Sequence, residues 1–278
     1  MCWRSASRVA LRAVKRIPRN GGISLSAASQ ISGGATRLPS VTHLTGGSRR
    51  SRIPALRLVA AALLGSILSQ GAQADCKDNP GPGIDWHGCN KQLLQLENAD
   101  LAGANFSGAF LSGTRFSGAK LDGADLQMSE LVRTSFDNAD LSGANLEKAL
   151  AARASFKSAL LKGARLIKAE FQRVNFEGAD LSDSSIEEAE LMRNDFTSAN
   201  LANANLAGAT LARTIFRGAT LTGASFKRAY LYWARFEDTD LTAVKDLTQA
   251  QLDMACGDER TKLPAGLTKP KNWPCGED

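Results

Sequence analysis

The sequence predicts an all-β solenoid, a chain wound as a square spool of about seven coils, and three observations predict it. From Leu96 to Leu241 every fifth residue is a repeat centre, and of these thirty centres eighteen are Leu, ten Phe, one Ile186 and one Ala151. Ala stands two residues before the centre twenty-one times in thirty, and Gly two residues after it eleven times. Stepping by twenty separates the centres into pure columns: 116, 136, 156, 176, 196, 216 and 236 are all Phe, and 101, 121, 141, 161, 181, 201, 221 and 241 are all Leu.

A period of five suits neither regular element. In an α-helix five steps leave each centre about 140° from the last, so the apolar residues would spiral around the rod. In a strand an odd spacing points consecutive centres to opposite faces. A chain that turns a corner after each pentapeptide resolves both problems. The pure columns require four pentapeptides per circuit, because a fifteen-residue circuit would mix Phe with Leu. Centre and preceding small residue then point inward, and Ala is favoured because four sides share a narrow axis. Gly or Asn after the centre tolerates the positive φ of tight corners. Backbone groups bond the coils above and below, so thirty units make a rod roughly 36 Å long at ~4.8 Å per rung.

Residues 1–74 form a leader. They carry eleven Arg or Lys and no acid, which leaves 23 basic against 28 acidic residues in the rest; the chain's +6 charge therefore belongs to the leader and the body is mildly acidic. A basic stretch (Arg49, Arg50, Arg52, Arg57), an apolar run from Leu58 to Leu68 and the site Ala72-Gln73-Ala74 have the layout of a cleaved export signal, with cleavage expected after Ala74. The run is short for a membrane span, so no transmembrane segment is expected in the mature chain. The compartment expected is the bacterial periplasm, or an organelle lumen if the Arg- and Ser-rich residues 1–48 are a transit peptide.

Residues 75–93 read as an N-terminal cap with Cys76, Trp86 and Cys89, and residues 94–243 as the β-helix. Residues 244–278 read as a C-terminal cap. There the frame slips by one residue, a short helix is expected over about 248–256, and a Pro-rich tail carries Cys275. Cys76, Cys89, Cys256 and Cys275 flank the periodic region, and an even count in an exported chain implies two disulfides. Local pairing, 76 with 89 and 256 with 275, closes short loops, although four Cys allow three connectivities.

The unit A-(D/N)-L-x-x, carried by "ADLAGANFSGAF", "ADLSGANL" and "SANLANANLAGATL", resembles the pentapeptide-repeat family over residues 94 to about 243. The resemblance implies a right-handed quadrilateral β-helix with four pentapeptides per coil. The Cys- and Trp-bearing flanks resemble those of exported bacterial members.

No catalytic set is visible. The body holds one His, His87, and no Ser-His-Asp set, Cys-x-x-C pair, phosphate loop or metal cluster. Asp100, Asp125, Asp140, Asp180 and Asp240 belong to the repeat, and Ser or Thr at 114, 129, 134, 184, 214 and 239 is expected to bond inward to backbone. Neither an enzyme nor a cofactor is expected. One side of the rod stands out. Two residues after its centres lie Arg133, Arg153, Arg173, Arg193, Arg213 and Trp233, and the same side shows Phe110, Val132, Leu150, Met192, Tyr230 and Tyr232. Glu130, Glu170 and Glu190 are placed to neutralise three of the arginines. Arg with aromatics and Met is the composition of binding surfaces, so the expected partner is a protein or an anionic envelope component, with a homodimer admitted. Direct nucleic-acid binding is not expected, since the basic excess lies in the leader. The alternative implied by the resemblance is mimicry of DNA toward a topoisomerase or another nucleic-acid-binding protein, which the acidic body permits.

Overall fold

The computed structural model describes residues 76–276; the leader, its export signal and the cleavage site lie outside them. From Asp85 onward the backbone pairs with itself in parallel at an offset of twenty residues, Asp85 with Asn105, Asn105 with Asp125, and so on around four sides to Ser225 with Lys245. Each rung residue bonds both ways. Asn105 donates its N–H to Ile84 at 2.8 Å, and Leu101 donates to Lys120 at 2.8 Å. Because pairing occurs one or two residues at a time between corners, only two runs are continuous strands: β1 (Leu150–Ala152) and β2 (Glu170–Gln172), paired Ala151 with Phe171.

Every corner from Leu93 to Asp238 places the residue two after the centre at positive φ, as at Gly143 (66°) and Asn138 (58°). At most of them the N–H of the following residue reaches back to the centre's carbonyl, as Ala144 does to Leu141 at 3.0 Å, whereas Val174 donates to Asn194 instead. This is a type II turn, whose third position demands that conformation. Inside, centres and alanines are buried. The Phe column stacks ring on ring from Phe116 to Phe236, with centroids 4.6 to 5.4 Å apart.

The polar residues at the Ala positions bond to backbone. Thr134, Thr214 and Thr239 donate to Leu111, Leu191 and Phe216 of the preceding coil at 2.9, 2.6 and 2.8 Å. Ser129 and Ser184 donate within their own turns. Asn194 accepts the N–H of Val174 at 2.8 Å, while its buried Nδ2 has no partner.

The winding begins earlier than the Leu/Phe periodicity indicates. Trp86 and Cys89 occupy a centre and an Ala position of the same frame, so residues from about 83 form a coil rather than a separate cap. Trp86 is buried edge-on against Phe106 at 5.8 Å, and the Lys91 ammonium lies 3.4 Å from the centre of its indole. The disulfide Cys76–Cys89 ties down the chain before it.

At the other end the coil continues past 243, with Arg235 paired to Cys256 and Asp240 to Lys262. The extra residues hold α1 (Gln249–Leu252), capped by Thr248 and shorter than the expected 248–256, because Asp253 ends the helix and the chain returns to the rung at Cys256. Gln251 carries the capping: its Nε2 donates to the carbonyls of Phe226 and Ala229, both at 2.8 Å. A side-chain amide thus stands in for the N–H groups of an absent coil. Trp273 donates from Nε1 to Ala255 at 2.7 Å and covers Gly257, where a Cβ would sit 2.3 Å from the indole. Cys256–Cys275 closes the tail.

Phe156 lies 4.6 Å from Phe136 and 5.1 Å from Phe176. Phe156→Ala is expected to destabilise the protein by about 3–5 kcal/mol in urea unfolding, the cost of a large core truncation that neighbouring rungs cannot collapse to fill.

Two carboxylates brace the last coil. Asp240 accepts the hydroxyl and N–H of Thr242 and pairs with Lys262 at 3.1 Å, which holds its carboxyl at about 2. Burial would raise Asp258, but the N–H of Asp238, the Thr261 hydroxyl and Arg260 outweigh it and hold that group at about 2 as well. Both folded-state values lie below the ordinary 3.8, so their stabilisation is complete above pH 3.8 and is lost as pH falls toward about 2. Tryptophan fluorescence should report loosening of the C-terminal coil in that window and none between pH 7 and 5.

Candidate interaction face

The arginine column is a consequence of the turn. Arg133, Arg153, Arg173, Arg193 and Arg213 sit at the left-handed corner position, with φ between 56° and 59°, and Trp233 continues the column at 57°. That backbone points each side chain off the rod. Consecutive corners are held in line by the ladder: Arg133 donates its N–H to Ala152 at 2.9 Å, Arg153 to Gln172 at 3.0 Å, Arg173 to Met192 at 3.1 Å, Arg193 to Ala212 at 2.9 Å and Arg213 to Tyr232 at 2.8 Å. A non-Gly residue there costs about 1–2 kcal/mol. Like charges at the rung spacing of ~4.8 Å add about 1 kcal/mol of repulsion per pair even in water.

Three rows run along this side. Mid-side stand Phe110, Glu130, Leu150, Glu170, Glu190, Thr210 and Tyr230, bridged rung to rung. Next come Val132, Ala152, Gln172, Met192, Ala212 and Tyr232, and at the corner the arginines and Trp233. Phe110, Leu150, Tyr230 and Tyr232 are nearly half exposed, and Arg133, Arg153, Arg173 and Arg193 are exposed. Tyr230 stacks on Tyr232 at 6.2 Å, Tyr232 meets Trp233 at 6.4 Å, and the Arg213 guanidinium lies 5.9 Å over Trp233.

The expected neutralisation does not occur. Among the described residues, Arg133, Arg153, Arg173 and Arg193 form no ion pair, and neither do Glu170 and Glu190; Glu130 accepts the Ser112 hydroxyl at 2.9 Å instead. Acids sit mid-side and arginines at the corner, so the two rows run beside each other without closing.

The structure also adds residues that periodicity alone passed over. Leu93 heads the arginine column at 74% exposure, two after a centre position held by Lys91 in the unrecognised first coil. A groove of about 360 Å³ runs between Gln172, Met192 and Ala212 and the guanidiniums of Arg173, Arg193 and Arg213. A second, of about 420 Å³, lies around the corner among Arg193, Arg213, Ile215, Trp233, Arg235 and Cys256. Ile215 and Arg235 belong to the adjoining side, and only the corner brings them to the column. The Arg235 charge is met by Glu237 at 2.8 Å.

The remaining candidates have structural partners. Oδ1 of Asp100, Asp125, Asp140, Asp180 and Asp240 accepts the N–H two residues on, at 3.0 to 3.4 Å. His87 shares a hydrogen bond with Ser107 at 2.8 Å. Among the described residues no group of three or more His, Cys, Asp and Glu could hold a metal ion, and no helix is long and apolar enough to cross a membrane.

The family model described as "Pentapeptide repeats" matches eight copies in segments that together span residues 95–242. Among solved structures, trypsin-treated QnrB1, a plasmid-mediated fluoroquinolone resistance protein, is 19% identical at a TM-score of 0.55, over 66% of this chain and 90% of that one. HetL, involved in heterocyst differentiation regulation in the cyanobacterium Nostoc sp. strain PCC 7120, is 21% identical at a TM-score of 0.37, over 66% of this chain and 87% of that one. No curated protein matches the chain.

If the column is a strained, mutually repelling array, relieving one member stabilises the rod. Arg173→Gly is expected to raise stability by about 1–2 kcal/mol at low salt. The part due to repulsion should fade at 1 M salt, where the screening length falls to about 3 Å.

Proposed function

The chain belongs to the pentapeptide repeat family, whose members fold as right-handed quadrilateral β-helices, and from that premise we propose that it is an exported, non-catalytic scaffold that binds a partner through the arginine-bearing side of the rod. The observation that carries this reading is the run of exposed guanidiniums at Arg133, Arg153, Arg173 and Arg193, which meet no carboxylate among the described residues and are kept at a backbone position where Gly or Asn costs less. An array that destabilises its own fold is explained when a partner's charge completes it.

Compartment and chemistry agree with the reading. Two disulfides, each joining Cys close in sequence, suit an oxidising compartment. The interior is filled by Phe, Leu and Ala columns, which leaves the surface as the place for function. The partner is a protein or an anionic envelope component: the unpaired arginines suit anions, and Tyr230, Tyr232 and Trp233 at one end supply flat amphipathic contact. Mimicry of a DNA duplex toward a topoisomerase is the competing reading. It meets acids that are already bonded into the turns and interrupted by basic residues, as where Lys120 pairs with Asp100 and Lys262 with Asp240.

Crosslinking the protein in the cell fraction where it resides identifies its neighbours. Replacing Arg153 and Arg213 with Glu, and Tyr232 and Trp233 with Ser, is expected to abolish that capture while the far-ultraviolet β signal persists. Undiminished capture would refute the face. Potent inhibition in a topoisomerase supercoiling assay would replace this reading with mimicry.

A further inference from the structure

Resting on the reading of this side as a binding face, we propose that its partner is a second copy of this chain, docked side by side and parallel, with the two-fold axis running along the rods. The order of the rows points to this arrangement. Around the perimeter the acids come first (Glu130, Glu170, Glu190), a small and apolar row second (Val132, Ala152, Met192, Ala212) and the arginines third. A two-fold axis parallel to the rod, passing through the middle row, lays each acidic row against the other copy's arginine row. A two-fold axis across the rod instead sets Arg on Arg and Glu on Glu. Isologous contacts are the commonest way for soluble chains to associate, and only the parallel choice is complementary here.

The spacing makes the case specific. A partner that matches every guanidinium must present its acids one per coil, at the same ~4.8 Å repeat. The chain itself carries such a ladder on three of the five arginine rungs, at Glu130, Glu170 and Glu190. Glu170 and Glu190 occupy adjacent, directly bridged rungs, and they lack ion pairs for the same geometric reason that Arg173 and Arg193 lack them. In the parallel pair Arg133 meets the second copy's Glu130, Arg173 its Glu170 and Arg193 its Glu190, each twice by symmetry. Arg153 and Arg213 share their rungs with Leu150 and Thr210. There the arginine's aliphatic stem supplies the contact. Met192 and Ala212, which line the groove beside Arg173 and Arg193, lie on the axis and close it with their counterparts. Tyr232 does the same at the C-terminal end.

The strip from Phe110 to Tyr230 spans seven rungs, or about 29 Å. It is narrow, so the interface falls at the low end of specific interface sizes, and dimers are expected to form in the micromolar range and to weaken with salt.

Sedimentation equilibrium on the purified full chain with its disulfides formed provides the test. The doubly reversed variant Arg173→Glu/Arg193→Glu places acid against acid, and Glu170→Arg/Glu190→Arg places base against base. Each alone is expected to weaken dimerisation at least tenfold. Mixed in equal amounts they are expected to restore a dimer containing one of each, which also excludes misfolding as the cause of the loss. Ala152→Cys is expected to crosslink to its own counterpart, as in-register parallel docking requires. A wild-type chain that stays monomeric, a dimer indifferent to both reversals, or a mixture that fails to associate would overturn the proposal. If the wild type is monomeric yet Arg153→Glu/Arg213→Glu still abolishes capture of a cellular partner, self-docking falls and the binding face stands. If that capture survives as well, both fall.

Discussion

Backbone hydrogen bonding at a constant offset of twenty residues is the constraint from which the rest of the rod follows. Once Asp85 pairs with Asn105 and that register is held to Ser225 and Lys245, each side chain sits on the residue one circuit away. Inside, this is favourable. Phe stacks on Phe at 4.6 to 5.4 Å, a separation at which aromatic pairs gain beyond simple burial. The Ala beside each centre is buried with it, and its small side chain lets the four sides approach. Outside, the same rule is indifferent to chemistry. It stacks Arg on Arg, and a rod with no freedom to stagger its rows cannot disperse the charge. The arginine column and the Phe column are therefore one phenomenon seen from two sides of the backbone.

A one-dimensional ladder is satisfied everywhere except at its ends, and there the chain departs from its own repeat. Trp86 fills a centre position in the first coil with a larger ring than any Phe, with Lys91 over its indole, and the disulfide Cys76–Cys89 closes the chain on either side of it. At the far end the backbone N–H groups of the next coil are missing. Gln251 replaces them with a side-chain amide aimed at Phe226 and Ala229, while Trp273 is seated against Gly257. The two crosslinks close short loops, each worth about 3 kcal/mol in chain entropy, where the fold has fewest neighbours to hold it. The lowered pKa values of Asp240 and Asp258 belong to the same region, where hydrogen bonds from Thr242 and from Thr261 and the Asp238 N–H favour the ionised carboxylates.

Much of this was legible in the sequence because a strict period leaves little for tertiary context to override. The five-residue spacing, the pure columns and the Ala positions together determined the winding, the core and the four-sided circuit. The arginine stripe followed from counting in twenties. So did the inward bonds of Thr134, Thr214 and Thr239, since a hydroxyl in a narrow shaft has only backbone to reach. The first coil escapes the Leu/Phe period because Trp86, Cys89 and Lys91 keep its frame without its Leu and Phe. α1 is shorter than its local sequence suggests because a helix wedged between two rungs ends where the chain must rejoin the ladder, and no local signal at Asp253 says so.

What the sequence determined by itself, then, is periodicity: which residues share a column, and where along the chain the corners fall. What only the tertiary structure decided is lateral distance. Whether Glu170 neutralises Arg173 depends on whether a mid-side and a corner lie within reach of each other, and three residues of separation say nothing of that. The corner likewise brings Ile215 and Arg235 of one side against Arg193 and Arg213 of the next. Columns are set by hydrogen bonds along the axis, which the repeat encodes; contacts across a corner depend on the angle of the turn and the reach of side chains, which it does not.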